Sequence, residues 1–244
     1  MTADKLIKDI KTRGYWRILV EPLSYQTKLE PLRSCREVVE KNRVQLRGWD
    51  YPHVPGDFDE STAIEPGNNY WQGWLDWAQT GHKEFWRMYQ SGQFVHYLGL
   101  VPDWYPEYAI KSMWEQDPIV AKPGEVLGIV NTVYLITEMY QFISRLVVDK
   151  LYDEGCRVTI GLHNTNGRRL FVDAYNRAPL FHPRKTGSTE IVFRKEYMAE
   201  EIINDPKELA LEVIIYLFER FAWDPPNIEV IKSDQQKLLD GKPD

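Results

Sequence analysis

Apolar residues recur along the chain with two different periods, and most of the expected architecture follows from separating them. Residues 6–12 predict a short helix ahead of Gly14, and residues 15–21 (YWRILVE), carrying Ile18 and Val20 in loose alternation, predict a strand. Residues 29–42 predict a helix, because Leu32, Cys35, Val38 and Val39 repeat at helical spacing with Arg and Glu opposite. A second strand is expected at residues 44–49, ended by Gly48 and the turn-prone DYPHVPGD. Residues 56–69 have too little apolar content for a core element and predict a polar connection. Residues 70–77 place tryptophans three apart, as a helix would, but Gly73 and the flanking turns favour a strand. Residues 85–90 and 93–101 flank Ser91-Gly92, a pair suited to a two-residue hairpin turn, with Phe94, His96, Leu98 and Leu100 sharing one face. Prolines at 102, 106, 118 and 123 predict an irregular loop over residues 102–124.

The strongest pattern is a helix from Glu125 to about Asp153, apolar around most of its circumference. Asn131, Glu138 and Arg145 form its one narrow polar stripe, expected to meet solvent or a polar groove. Gly155 stops it. Residues 157–163 and 168–173 predict a hairpin closed by an Asn-Gly turn, and residues 190–195 another strand. Asp205 and Pro206 open a helix with Leu209, Val213, Tyr216, Leu217 and Phe221 on its apolar face. Pro225-Pro226 blocks its continuation, and the last dozen residues are expected to fray. The expected class is α+β: an antiparallel, hairpin-rich sheet packed on one long central helix and two or three shorter helices. Residues 1–224 are expected to form one domain, with residues 225–244 as a partly flexible C-terminal tail.

Composition narrows this picture. An aromatic content of 13% is enough to build a core, and seven of the nine tryptophans fall between Trp49 and Trp114, as an aromatic core or an aromatic recognition surface. The longest apolar stretch is interrupted by charges, so no membrane span is expected. Two cysteines, Cys35 and Cys156, cannot build a disulfide framework, and with a charged N-terminus they point to a cytoplasmic protein. The net charge of −6 is uneven: residues 1–47 carry +5 and residues 157–195 carry +6, against −8 over residues 48–119. An acidic mean argues against wholesale nucleic-acid coating, while leaving room for a local basic strip.

No catalytic motif stands out. HExxH, CxxC, GxSxG and phosphate-loop patterns are missing, and no metal or cofactor is expected. His82 and His96 could meet across the hairpin and recruit Asp76 or Glu84, although a structural or surface histidine is the commoner role. A metal-dependent nuclease or phosphodiesterase would draw on Glu190, Lys195 and Asp173. The denser signal is basic: Arg168, Arg169, Arg177, His182, Arg184 and Lys185 lie close together, interleaved with Phe171, Tyr175 and Phe181. Guanidinium groups with aromatic rings suit a phosphate-bearing, base-stacking ligand. The alternative is a solvated loop whose cations neutralise the acidic C-terminal helix. Arg168 and Arg169 are adjacent in a strand, so one faces the core and needs an acid while the other is free.

The segments Arg47-Gly-Trp-Asp-Tyr-Pro-His53, Phe85-Trp-Arg-Met-Tyr-Gln-Ser-Gly-Gln-Phe94 and Val158-Thr-Ile, with Gly167-Arg-Arg-Leu170, resemble an uncharacterised bacterial family. Similar segments recur downstream of Schlafen-type AlbA DNA-binding domains, often near defence genes. The AlbA domain lies outside the resemblance, so DNA binding is not inherited from it. The resemblance implies a non-catalytic accessory or sensing module, serving a defence or regulatory complex through a partner protein. The residues themselves point to a nucleotide-type ligand or, alternatively, direct nucleic-acid binding.

Overall fold

The protein is described by a computed structural model covering residues 2–25, 27–56, 61–114 and 117–243. In chain order the elements are α1 (Ala3–Ile10), β1 (Tyr15–Pro22), α2 (Ser34–Asn42), β2 (Val44–Gln45) and β3 (Asp50–Tyr51). Four consecutive antiparallel strands follow as β4 (Thr62–Pro66), β5 (Tyr70–Trp77), β6 (His82–Tyr89) and β7 (Phe94–Gly99). Small strands β8 (Tyr108–Ile110), β9 (Ile119–Ala121) and β10 (Val126–Gly128) lead into α3 (Ile129–Val148). The remainder comprises β11 (Cys156–His163), β12 (Arg169–Phe171), β13 (Glu190–Tyr197), α4 (Ala199–Asn204), α5 (Pro206–Glu219) and α6 (Ile228–Leu239).

The main sheet is seven-stranded in the order β13-β11-β1-β7-β6-β5-β4, with every neighbour antiparallel. The expected α+β class is what forms. Alternation decides the faces: Trp16, Ile18 and Val20 pair across β1–β7 with Leu98, His96 and Phe94. This inner face packs on α3, whose Leu135, Met139, Phe142 and Ile143 are buried in the same cluster. Each such side chain contributes roughly 1.5–3 kcal/mol when fully withdrawn from water. Helices α2, α4, α5 and α6 surround α3, so it is buried on nearly all sides. On the opposite face, Leu6 and Ile10 of α1 cover Tyr15, Ala63, Trp74 and Phe85. The tryptophans are therefore divided: Trp16, Trp74 and Trp86 are core, whereas Trp114 is exposed.

Several expectations are corrected. The 29–42 helix starts only at Ser34, because the Lys28 and Leu29 N–H groups are held extended by the Gln90 carbonyl. Strand β4 lies within the expected polar connection, its Thr62, Ala63 and Ile64 all buried; residues 57–60 of that connection lie outside the described residues. Residues 102–124 contain the β8–β9 hairpin, although residues 115 and 116 lie outside the described residues. The expected hairpin of residues 157–163 with 168–173 does not form. Both edges of β11 are occupied, by β1 and β13, so β12 turns away and pairs in parallel with β10. That pairing also shortens the long helix, which begins at Ile129. After Pro225-Pro226, Asn227 caps a new helix by accepting from Val230 N at 3.2 Å, and α6 buries Ile231 and Leu238. Among the described residues no helix is long and apolar enough to cross a membrane.

Candidate functional site

The N-terminal end of α3, the end of β7 and the β10–β12 pair enclose a cleft of about 400 Å³. Trp49, Tyr108 and Phe171 supply aromatic wall, and Arg47, His82, Asn131 and Asp173 supply polar groups. Asp173 sits at the helix start, where N–H groups lack intrahelical partners. Its Oδ1 accepts from Val130 N at 2.6 Å and its Oδ2 from Asn131 N at 2.9 Å. Burial pushes this carboxyl up, opposed by those two N–H groups.

Behind His82 runs a buried chain of hydrogen bonds. His82 Nε2 lies 2.8 Å from Glu84 Oε2, and His96 Nε2 lies 3.0 Å from Glu84 Oε1. Oε1 also accepts from His53 N at 2.8 Å, and His96 Nδ1 lies 3.1 Å from the Tyr51 hydroxyl. Burial would raise the Glu84 carboxyl, but hydrogen bonds from His82 and His96 outweigh it and hold the group below its ordinary range. An ionised Glu84 accepts from both imidazoles, which assigns the proton on each to Nε2. His96 Nδ1 faces the Tyr51 hydroxyl, and His82 lines the cleft. Trp49 stacks on His53 with centroids 4.6 Å apart and lies equally close to His82, so the imidazoles and indole brace one another. Burial lowers His53, favouring its neutral form. Of the two acids that His82 and His96 could recruit, Glu84 is used; Asp76 instead binds Lys83 at 2.6 Å.

The second polar group is the pair Arg47–Glu138. Arg47 Nε and Nη2 hold Glu138 at 2.8–3.1 Å, and Nη1 donates to Asn131 Oδ1 at 2.7 Å. The polar stripe of α3 is thus split: Asn131 and Arg145 are exposed, whereas Glu138 is 1% exposed beneath Arg47. For Glu138 this corrects the expectation of a stripe that meets solvent or a polar groove. Burial pushes the Glu138 carboxyl up to about 7 despite Arg47, which opposes the shift.

The basic segment is dispersed by the fold. Arg168 is buried against Asp103, while Arg169 points outward, as strand alternation requires. Arg177 pairs with Asp234 on α6, as the charge-neutralising alternative anticipates, and Arg184 Nη1 donates to the Ala222 carbonyl at 2.6 Å. Arg169, Arg177 and His182 line a second cleft of about 250 Å³ with Phe171 and Phe181. Lys185 lies opposite Arg169 in an antiparallel bridge. The nuclease set is not brought together: Glu190 pairs with His163, Lys195 with Glu212, and Asp173 caps α3. Among the described residues no three His, Cys, Asp or Glu side chains group to hold a metal ion.

Sequence reasoning missed Arg47, Trp49, Asn131 and Glu138 as one site. Two signals were present: the RGWDYPH string, which supplies Arg47, Trp49, Tyr51 and His53, and the seven-residue spacing of Asn131 and Glu138. Comparison with protein-family models, curated proteins and solved structures gives no match.

Proposed function

We propose that this chain is a recognition module that binds a nucleotide-type small molecule in the cleft at the start of α3. The observation that carries this reading is the pairing of aromatic walls, Trp49, Tyr108 and Phe171, with fixed polar groups at the same opening. A planar base gains from stacking on such rings. His82 is held in place by Glu84, and the Asn131 amide keeps its NH₂ donors while its oxygen accepts from Arg47. Arg47 supplies the cation for an anionic tail, and Asp173 retains lone pairs for base N–H donors. Such a module would report ligand binding to a partner protein in a defence or regulatory complex.

Intrinsic tryptophan fluorescence tests this, since Trp49 forms part of the wall. Titration with purine and pyrimidine mononucleotides and cyclic nucleotides is expected to quench emission and raise the melting temperature. Trp49→Ala and Arg47→Ala should each weaken binding at least roughly tenfold, the loss of about 1.4 kcal/mol. A protein that shows neither quenching nor a melting shift with any of these ligands at millimolar concentration does not have this function.

A further inference from the structure

Outside that cleft, β12 and the chain returning at residues 184–186 build a surface with a different charge and shape. Leu170 N donates to the Arg184 carbonyl at 2.8 Å, and Thr186 N to the Arg168 carbonyl at 3.1 Å. This antiparallel bridge sets Arg169 directly opposite Lys185, so both side chains emerge on one side. Like charges facing each other across a bridge are destabilising. Neither side chain has a hydrogen-bond or ion-pair partner among the described residues. The nearby carboxylates are engaged elsewhere: Glu125, whose carbonyl accepts from Arg169 N, turns its carboxylate to Lys122 N, Asp103 binds Arg168, Asp173 the α3 N–H groups, and Asp234 Arg177. An anion between the two cations would relieve their repulsion.

Aromatic rings stand around these cations. Phe181 is 99% exposed, Tyr175 64% and Trp114 59%. They share one neighbourhood, because Met113 N donates to the Tyr175 carbonyl and Phe181 lines the cleft with Arg169 and His182. Phe181 is left almost wholly uncovered by the monomer. Unpaired cations beside open aromatic faces match a charged backbone with unstacked bases. A duplex hides its base faces and would leave these rings unused.

We propose that this face binds single-stranded nucleic acid, with Arg169, Lys185 and His182 on the phosphates and Phe181, Tyr175 and Trp114 stacking on bases. The second cleft shares Phe171 with the small-molecule cleft, but none of the six residues proposed here lines the latter.

The test is fluorescence anisotropy with labelled single-stranded DNA and RNA fifteen-mers and a matching duplex, at several salt concentrations. The wild type should bind the single strands more tightly than the duplex, and affinity should fall as salt rises. Arg169→Ala/Lys185→Ala should flatten the slope of log affinity against log salt by about 1.4, near 0.7 for each phosphate no longer neutralised. Phe181→Ala should weaken single-strand binding roughly fivefold or more, in line with the removal of one stacking ring. Trp49→Ala should leave oligonucleotide binding unchanged, which separates this surface from the cleft. Lys185 and Phe181 are exposed and Arg169 and Trp49 half-buried, and melting curves check that the variants fold. Absence of single-strand binding at low salt, equal or tighter duplex binding, or full affinity in both surface variants would each overturn the proposal.

Discussion

Arg168 and Asp103 form a two-pronged ion pair, with Nη1–Oδ1 at 2.9 Å and Nη2–Oδ2 at 2.6 Å, and both side chains are 1% exposed. The pair is also a junction. Asp103 accepts from the Gly14 and Gly124 N–H groups at 2.8 and 2.9 Å, and Arg168 donates to the Val126 carbonyl at 2.8 Å. The start of β1, the loop before β10 and the start of β12 therefore meet on two side chains. Removing one partner strands a buried charge, so Asp103→Leu or Arg168→Met alone should cost about 3–5 kcal/mol. The double variant should cost less than the two single losses added together, because it leaves no unpaired charge. Urea unfolding of the three variants measures this, and single losses below about 1 kcal/mol would show that the junction is not structural.

How far this was legible depends on whether the signal was local. Phe94, His96 and Leu98 do share the inner face, since alternation is a property of the strand alone. In the turn after β11, Gly167 takes the positive φ that an Asn-Gly turn needs, but its neighbour Asn166 does not and Asn164 does instead. The turn's consequence was misread, because the partner of the next strand depends on which edges remain open. The site shows the same division. His82, Glu84 and His96 sit on neighbouring strands of one hairpin and were foreseeable together. Arg47 and Glu138 are 91 residues apart, and only the packing of the RGWDYPH segment over α3 joins them. Glu138 looked solvent-facing because a polar residue in a stripe gives no hint that an arginine covers it.

Asp173 caps α3 from a different segment of chain, and the approach is close enough that a Cβ at Gly128 would collide with its carboxylate. Asp173→Ala should lose about 0.5–2 kcal/mol, the usual cost of a missing N-terminal cap. Gly128→Ala should destabilise the wild type yet add little once Asp173 is alanine, since the collision is then gone. Thermal melts of the two single variants and the double variant read this coupling. Strictly additive losses would place the Asp173 carboxylate elsewhere.

Gly92 tests the β6–β7 turn. The turn is one residue longer than the two-residue form expected, with Gly92 N bonded to the Tyr89 carbonyl and Tyr89 N to the Gln93 carbonyl. Gly92 takes φ +83°, and a Cβ there would stand 3.2 Å from Leu151 Cδ1. Gly92→Val therefore combines left-handed strain with crowding and should cost about 1–3 kcal/mol. An unchanged urea midpoint would rule out the positive φ.

Glu138 makes stability depend on pH in a direction unusual for a carboxylate. Its carboxyl is pushed up from an ordinary 4.5 to about 7, because burial outweighs the opposing Arg47 charge. The folded chain then holds this proton more tightly than the unfolded chain. The group's contribution is thus fullest below about pH 4.5 and is lost as pH rises through about 7. Glu138→Gln carries no proton to lose, so its stability should vary less than the wild type between about pH 5 and about pH 8. Arg47→Met removes the opposing charge and drives the carboxyl higher still. Its cost should be small at about pH 5 and larger, about 1–3 kcal/mol, at about pH 8, below the usual ~3–5 kcal/mol for a broken buried pair because Glu138 can escape by protonation. An anion entering the cleft beside Arg47 would favour the protonated carboxyl in the same way, so nucleotide affinity should rise as pH falls through 7. Urea unfolding and fluorescence titration at the two pH values check both halves. Parallel pH profiles for wild type and Glu138→Gln would show that the raised carboxyl is not Glu138.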